Sequence, residues 1–305
     1  MTYIDPILVG VDGSPASSAA IRFGAHEALR QGTSIHLVHV VPNYVPISPM
    51  FPLTPADLRD RGRKILDQAT NEAHKFIAPE KVDSSLLDGA RIASLVRAAE
   101  RARLVVLGAE HHPAVERLLT GSALAGVASR ATCPVIAVPA NWTPRSEHHT
   151  VVAGVKSTEH SSELVRRALQ IAAERDARLV LLHAWELPNE YDDLIKSRVE
   201  TDTWTDRARL AIDHSISGMR QAYAGVPLEI RVIHGQAARV LQRASEDADL
   251  LLVARRHNAI PFGHLGGTGR AVIRGSQCPV EVVPPADEPT TPSVLRLEQA
   301  GSLLK

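Results

Sequence analysis

The chain has 305 residues, with 34 Lys or Arg and 34 Asp or Glu, so its formal net charge at pH 7 is zero. Because there is no excess of positive charge, long-range attraction for a polyphosphate backbone is weak, which argues against nucleic acid as the main partner. Apolar residues make up 44% of the chain and aromatic residues only 4%, so aliphatic side chains and alanine are expected to fill its cores.

The amino terminus and the apolar runs indicate where the protein works. Residues 1–10 contain no basic region followed by an apolar stretch, so a secretory signal is not expected. No apolar run approaches the roughly 18 residues needed to span a bilayer. We therefore expect a cytoplasmic protein without a membrane partner.

One pattern of residues occurs twice along the chain. Residues 7–14 (ILVGVDGS) return at 151–158 as VVAGVKST, and residues 131–139 (ATCPVIAVP) return at 276–284 as SQCPVEVVP. The copies are offset by 144 to 145 residues. This offset indicates a domain duplication, because the repeats of a solenoid are only roughly 20–50 residues long. The expected parts are domain 1 at 1–140, domain 2 at 149–285 and a carboxyl-terminal tail at 286–305.

Each copy alternates short runs of Val, Ile and Leu with longer helical patterns. In the first copy, strands are predicted at 6–11, 35–41, 82–87, 103–108 and 134–138, with helices at 15–30, 56–77, 90–101 and 121–131. In the second copy, strands are predicted at 150–155, 178–184, 228–233, 249–254 and 280–283, with helices at 159–175, 198–223, 237–246 and 268–275. Nearly continuous apolar runs are typical of parallel strands covered on both faces. The sequence therefore predicts the α/β class, with two tandem doubly wound domains, each on a five-stranded parallel sheet.

Three segments fall outside the repeated pattern. Residues 140–149 are polar and predict the linker between the copies. Residues 42–55 contain five prolines and form either a stiff surface connection or a lid over the strand ends of the first copy. The tail is polar at first and then weakly amphipathic, which fits disorder and a partner-binding helix about equally.

The two cysteines, Cys133 and Cys278, occupy equivalent positions, each just before a proline that opens an apolar run. We interpret them as two buried thiols, one at a strand entry in each copy. The alternative is a redox pair. Their spacing matches neither a disulfide framework nor a metal knuckle.

Polar residues follow the two strands whose ends would meet at a ligand crevice. In an open parallel sheet, ligands bind outside the carboxyl ends of the strands, and the loops after strands 1 and 4 meet there. In the first copy these loops carry Asp12 and Ser14, then Gly108 and later Gly121-Ser122. Glycines let a backbone approach phosphate closely, and a Gly-Ser pair that opens a helix offers amides and a hydroxyl to an anion.

These residues resemble the universal stress protein family in its tandem two-domain form. The family's nucleotide loop is G-x-x-G, nine residues, then G-[S/T], and Gly108, His111 and Gly121-Ser122 have the matching spacing, with His111 in place of the second glycine. The family's Asp at the end of strand 1 matches Asp12, and the backbone that contacts adenine matches Val40. The collinear matches cover nearly all of both copies.

The resemblance implies an adenine nucleotide alpha-hydrolase-like fold in each half and a bound adenine nucleotide. The implied site in domain 1 consists of Gly10, Val11, Asp12, Ser14, Val40, Gly108, Ala109, His111, Gly121, Ser122 and Ala123. A weaker second site is implied at Gly154, Ala184, Ala254, Gly267 and Thr268. The implied ligand is ATP or another adenine nucleotide, with Mg²⁺ as an optional companion. The halves are expected to pair through their fifth strands as a pseudo-dimer within the chain. A homodimer of two whole chains is also compatible with the resemblance.

Several positions depart from the family pattern. His111 costs on the order of 1 kcal/mol if that position requires a left-handed backbone, and its side chain would crowd the phosphate. In domain 2, Lys156, Ala254 and His257 replace the Asp and the two loop glycines. We interpret Lys156 as a sign that the second pocket no longer binds nucleotide. The alternative is that Lys156 neutralises a bound anion. His111 and His257 occupy the same loop position in the two copies. They are either surface residues inherited through the duplication or pH-sensitive contacts to a phosphate or a partner. His111 and His112 are adjacent, which is poor geometry for one metal ion.

Three functions are compatible with these features. The resemblance implies a non-enzymatic stress-response regulator or sensor that binds ATP mainly in domain 1. The alternative is an interaction scaffold, formed by the pseudo-dimer, that binds no nucleotide. An ATP-hydrolysing or adenylating enzyme is the third, but the chain contains neither a G-x-x-x-x-G-K-[S/T] loop nor a G-x-S-x-G elbow, so no catalytic residues are expected.

Overall fold

The computed structural model describes residues 5–43, 54–109, 121–144, 148–156, 161–187, 193, 201–255 and 265–285. Most of the proline-rich segment, the loop with His111 and His112, His257 and the tail lie outside the described residues, together with the predictions made for them.

Both halves alternate strands and helices in the predicted order. The first half contains β1 (Ile7–Gly10), α1 (Pro15–Arg30), β2 (Ile35–Val41), α2 (Pro55–Ala73), β3 (Val82–Asp88), α3 (Arg91–Ala99), β4 (Leu104–Ala109), α4 (Gly121–Ala128) and β5 (Val135–Pro139). The second half contains β6 (Thr150–Gly154), α5 (Ser162–Glu174), β7 (Arg178–Trp185), α6 (Thr201–Ala222), β8 (Leu228–His234), α7 (Ala237–Ala244), β9 (Leu250–Ala254), α8 (Gly267–Gly275) and β10 (Val280–Val283). Each predicted strand is present, and most boundaries agree within one or two residues.

The strands form one ten-stranded sheet in the order β3-β2-β1-β4-β5-β10-β9-β6-β7-β8. Within each half all neighbouring strands are parallel, which confirms the predicted doubly wound α/β class. The halves meet where β5 pairs with β10 antiparallel, with Val135 opposite Val282 and Ala137 opposite Val280. The contact between fifth strands that the resemblance implied is therefore present within the chain.

The sheet is covered on both faces because side chains of its central strands alternate between two apolar layers. Ile7 and Val9 of β1 pack with buried residues of α1 and α2 on one face. Leu8 packs with buried residues of α3 and α4 on the other. Both layers continue into the second half, so the two domains share their cores along the β5–β10 seam.

Helix starts follow local capping chemistry. Ser14 has an extended backbone, and its hydroxyl accepts a hydrogen bond from the amide of Ser17 at 3.1 Å, while Pro15 takes the first helical position of α1. α2 begins with a capping box in which Thr54 and Asp57 bond each other's amides. These caps fix the direction in which each helix leaves the strand ends.

Buried ion pairs join α1 to the end of α5 across the boundary between the halves. Glu27 of α1 is only 5% exposed and binds Arg30 on its own helix and Arg175 of the second half, the latter at 3.0 Å. Arg30 also binds Glu174 at 3.0 Å. Burial by itself would raise the pKa of Glu27, but Arg175 and Arg30 hold that pKa below its usual value. The carboxylate therefore remains ionised between two guanidinium groups.

The interpretation as buried thiols fits Cys278, which is buried, whereas Cys133 is only partly buried. Both are free, and burial raises the pKa of Cys133 to about 11 and that of Cys278 to about 12. A thiol with so high a pKa forms little of the reactive thiolate at neutral pH.

Candidate functional site

A cleft opens at the carboxyl ends of β1, β2 and β4 in the first half. It is lined by eight of the residues predicted for the first site: Gly10, Val11, Asp12, Ser14, Val40, Gly108, Ala109 and Ala123. Gly121 and Ser122 directly precede Ala123 at the start of α4. The sequence motifs after strands 1 and 4 therefore meet at one place, as the topology of a parallel sheet requires.

The loop after β1 holds Asp12 at the mouth of the cleft. Its Oδ1 accepts a hydrogen bond from the amide of Ser14 at 3.0 Å, and Gly13 between them has φ +82°, a left-handed conformation that favours glycine. The side chain of Asp12 is exposed, and its Oδ2 has no hydrogen-bond partner among the described residues. This loop presents a carboxylate oxygen that can accept a hydrogen bond from a ligand.

Packing alone requires glycine at position 108. A Cβ at this position would lie 2.4 Å from the backbone carbon and oxygen of Ala16, in the first turn of α1. A Cβ at Gly10 would lie 2.4 Å from the side chain of Leu107. The sequence suggested phosphate contact as the reason for Gly108, whereas the structure adds the close approach of α1 to β4.

The amino end of α4 supplies main-chain donors beside the cleft. The first amides of a helix have no partner within the helix, and the helix dipole gives this end a partial positive charge. Because α4 begins at Gly121 and Ala123 lines the cleft, these amides lie at the edge of the candidate site. Such a helix end binds anions.

His39 of β2, which the sequence analysis missed, lines the cleft and makes a hydrogen bond to the chain after β1. Nδ1 of His39 lies 2.7 Å from the carbonyl oxygen of Val11, and the carbonyl can only accept, so this nitrogen carries the proton. The second half repeats the contact between His183 and Val155 at 2.9 Å. The signal that could have found it is a histidine at matching positions of LVHVVP and LLHAWE in the two copies.

Two arginines at the cleft were also missed. Arg91 opens α3, and Arg274 belongs to α8 of the second half, where it lines the cleft together with Ile273. Nε of Arg274 donates to the carbonyl oxygen of Arg270 at 3.2 Å. Among the described residues, neither guanidinium has a carboxylate partner. The mouth of the cleft therefore carries two cations and the carboxylate of Asp12.

The second half does not reproduce this arrangement. Lys156 is exposed after β6, where the first half has Asp12, and Ala254 stands where the first half has Gly108. The next residue, Arg255, donates to the carbonyl oxygens of Ala128 at 3.4 Å and Ala131 at 2.7 Å, at the carboxyl end of α4. A cation is favourable there because the carboxyl end of a helix is partially negative. Arg255 thus follows the end of β9 in the second half and contacts the carboxyl end of α4 in the first half.

The other predicted residues of the second site lie at the ends of their elements. Gly154 ends β6, Ala184 lies near the end of β7, and Gly267 and Thr268 open α8 as exposed residues. A cavity of about 840 Å³ occurs in this half, but it runs along the sheet face beneath α7 and none of the five predicted residues lines it.

Metal and membrane features are absent from the described parts of the chain. No group of three or more His, Cys, Asp or Glu side chains there could hold a metal ion. None of the helices described is both long enough and apolar enough to cross a membrane.

The fold and the cleft define a tandem protein of the doubly wound α/β class, with the candidate site in its first half. The model of the universal stress protein family matches residues 4–139 and 147–284. The chain belongs to the universal stress protein family.

Some known relatives match the whole two-domain length of this chain and others match one half of it. Universal stress protein Rv2623 of Mycobacterium tuberculosis is 29% identical over 285 residues, which cover 90% of this chain and 95% of that protein. The crystal structure of a universal stress protein from Archaeoglobus fulgidus aligns with a TM-score of 0.68 at 15% identity, covering 93% of this chain and 97% of that one. A universal stress protein from Archaeoglobus fulgidus solved in complex with dAMP is 25% identical and covers 45% of this chain and 98% of that one, with a TM-score of 0.34.

Proposed function

We propose that this protein is a non-enzymatic regulator or sensor of the stress response whose first half binds ATP or another adenine nucleotide, with Mg²⁺ as an optional companion. One observation carries the proposal: the ends of β1 and β4 and the start of α4 converge on one cleft with a free carboxylate oxygen at its mouth. Each of these groups has a matching part in a nucleotide.

The walls of the cleft suit a nucleoside. Val40 and Leu95 are buried apolar residues that can contact a base, while Oδ2 of Asp12 can accept a hydrogen bond from a ribose hydroxyl. The amides at the start of α4 can bind phosphate oxygens, since they lack partners within the helix. Apolar walls with a few placed polar groups are the usual composition of a ligand site.

The cleft is too small to enclose a whole nucleotide. Its volume is about 110 Å³, below the roughly 300–1,000 Å³ of pockets that enclose a whole drug-sized ligand. Only a base and part of the sugar would enter, and the phosphates would remain at the mouth. The charged groups of the protein lie at this mouth, so charge and volume favour the same orientation.

The second half is proposed to bind nucleotide weakly or not at all. Lys156 replaces the acceptor for ribose, and Ala254 places a methyl group where the first half needs a glycine. Arg255 is already engaged with carbonyl oxygens of α4. These substitutions favour the interpretation of a pocket released from nucleotide binding.

A scaffold function is the second candidate. The continuous sheet across β5 and β10 and the buried pairs around Glu27 favour it, because they hold the halves as an intrachain pseudo-dimer without any ligand. Binding partners through this rigid pair would require no nucleotide.

Calorimetric titration of ATP into three proteins separates the candidates. The wild type is expected to bind one ATP, and Gly121→Val is expected to lose at least about tenfold in affinity, because glycine allows a ligand to approach the backbone closely and a β-branched residue hinders that approach. Gly267→Val is the matched control, since it changes the equivalent glycine of the second half, where an added Cβ meets no atom within 4 Å. Absence of binding in all three would refute the nucleotide proposal and leave the scaffold.

Catalysis is tested separately. Incubation with ATP and Mg²⁺ is expected to release phosphate no faster than a protein-free control. Phosphate release that is well above this background and is lost in Asp12→Ala would contradict the non-enzymatic proposal.

A further inference from the structure

A residue of the second half reaches the candidate site of the first. Arg274, near the carboxyl end of α8, lines the same cleft as Asp12 and Gly108, and Ile273 lines it beside Arg274. The other described residues that line this cleft come from the first half. The site is therefore composed of both halves of the chain.

The sheet topology explains why α8 arrives there. β10 runs antiparallel to β5, with Val280 at its start opposite Ala137 near the end of β5. The end of β5 lies at the edge of the sheet where the carboxyl ends of the first-half strands open the cleft. Because α8 ends at Gly275, just before β10 begins, its last turn is held beside the first-half site.

Arg274 is available to an anion. It is exposed, it makes no salt bridge among the described residues, and its Nε donates only to a carbonyl oxygen of its own helix. Arg91 lines the same cleft from α3 and likewise has no acidic partner in the described parts of the chain. Charge-assisted hydrogen bonds from arginine to phosphate are strong and can be bidentate.

The duplication supplies an internal comparison. The residue of the first half that corresponds to Arg274 is Ser129, which is buried and whose hydroxyl donates to the carbonyl oxygen of Ala125 at 2.6 Å. The first half therefore has a hydroxyl, and not a cation, at the position that corresponds to Arg274. Among the described residues, Arg274 is a cation of the second half that lines the cleft containing Asp12 and Gly108.

We propose that Arg274 of the second half binds the phosphate groups of an adenine nucleotide held in the first half. The ligand class is then a nucleotide with its phosphates rather than a nucleoside, and the site is complete only when both halves are present. This inference rests on the proposed function, because it assigns the orientation of the same ligand.

The test compares ATP with adenosine in the full-length protein by calorimetric titration. Arg274→Gln removes the charge, Arg274→Lys keeps it, and Arg270→Gln is the matched control, since Arg270 is an exposed arginine one turn earlier on α8 that does not line the cleft. Arg274→Gln is expected to weaken ATP binding about tenfold, as for the loss of one charge-assisted hydrogen bond, and to leave adenosine binding within about twofold. Arg274→Lys should restore part of the ATP affinity, and Arg270→Gln should match the wild type.

A purely structural role would give a different result. If Arg274 only held α8 in place, Arg274→Gln would weaken ATP and adenosine equally, and this outcome overturns the inference. Unchanged ATP affinity in Arg274→Gln, with the wild type binding normally, also overturns it while leaving the proposed function intact. If the wild type binds neither ATP nor adenosine, the proposed function fails and the inference fails with it.

Discussion

Replacement of Glu27 by Gln is expected to destabilise the chain strongly. The carboxylate is 5% exposed and lies between Arg30 and Arg175, which belongs to the other half. The amide of Gln has the same shape but no charge, so Arg175 would lose its ion-pair partner and Arg30 would keep only Glu174. Removal of one partner from a buried ion pair costs about 3–5 kcal/mol, because the remaining charge stays buried and uncompensated. Burial already lowers the pKa of Arg175, which shows how costly its charge is at this position.

Urea unfolding at pH 7 measures the effect. Glu27→Gln should lower the free energy of unfolding by about 3–5 kcal/mol. The matched control is Asp60→Asn, which breaks an exposed pair with Arg63 and should change it by less than about 1 kcal/mol. A change for Glu27→Gln as small as for the control would refute the reasoning that the buried pairs hold the two halves together.

The same pair predicts a pH dependence. The pKa of Glu27 is lower in the folded protein than its ordinary value of 4.5, so the folded state binds this proton less readily than the unfolded chain. Its stabilising contribution is present above the unfolded pKa and is lost as the pH falls through the folded pKa. The stability difference between wild type and Glu27→Gln should therefore narrow below pH 4.5.

Three further predictions follow from other sites. Gly108→Ala should lower the melting temperature because its Cβ would lie 2.4 Å from the backbone of α1, whereas Gly267→Ala, with nothing within 4 Å, should leave it nearly unchanged. Cys133 and Cys278 should resist iodoacetamide at pH 8 in the native protein and react after unfolding, since burial raises their pKa values to about 11 and about 12; rapid native alkylation would contradict this. Asp12→Ala should weaken both ATP and adenosine about tenfold, as expected when one hydrogen bond to a charged group is lost, and calorimetry in which adenosine is unaffected would show that Asp12 does not contact the sugar.

Much of the fold could be predicted because the relevant signals are local or repeated. The apolar run at 35–41 coincides with β2, and Ser14-Pro15 marks the first turn of α1. Helix ends were less predictable. The helix predicted at 56–77 ends at Ala73, and the chain then continues in tight turns in which Phe76 donates to the carbonyl oxygen of Ala73. Periodicity alone does not distinguish such turns from another helical turn.

The candidate site was predictable only as far as it consists of sequence motifs. Asp12 and Gly108 belong to loops that a parallel sheet must bring together, so the sequence locates them. Arg274 reaches the cleft through the antiparallel pairing of β5 and β10, and no local pattern shows which residue of one half faces the other. The packing reason for Gly108 was hidden for the same reason, because the start of α1 contacts it only in the folded chain.

The most direct test of the central claim is a crystal structure of the protein grown with ATP. The account predicts one nucleotide per chain in the first-half cleft, with a ribose hydroxyl on Asp12 and phosphates between the start of α4 and Arg274. Electron density for ATP at the ends of β6 and β9 instead, or an empty first-half cleft at saturating ATP, would contradict it.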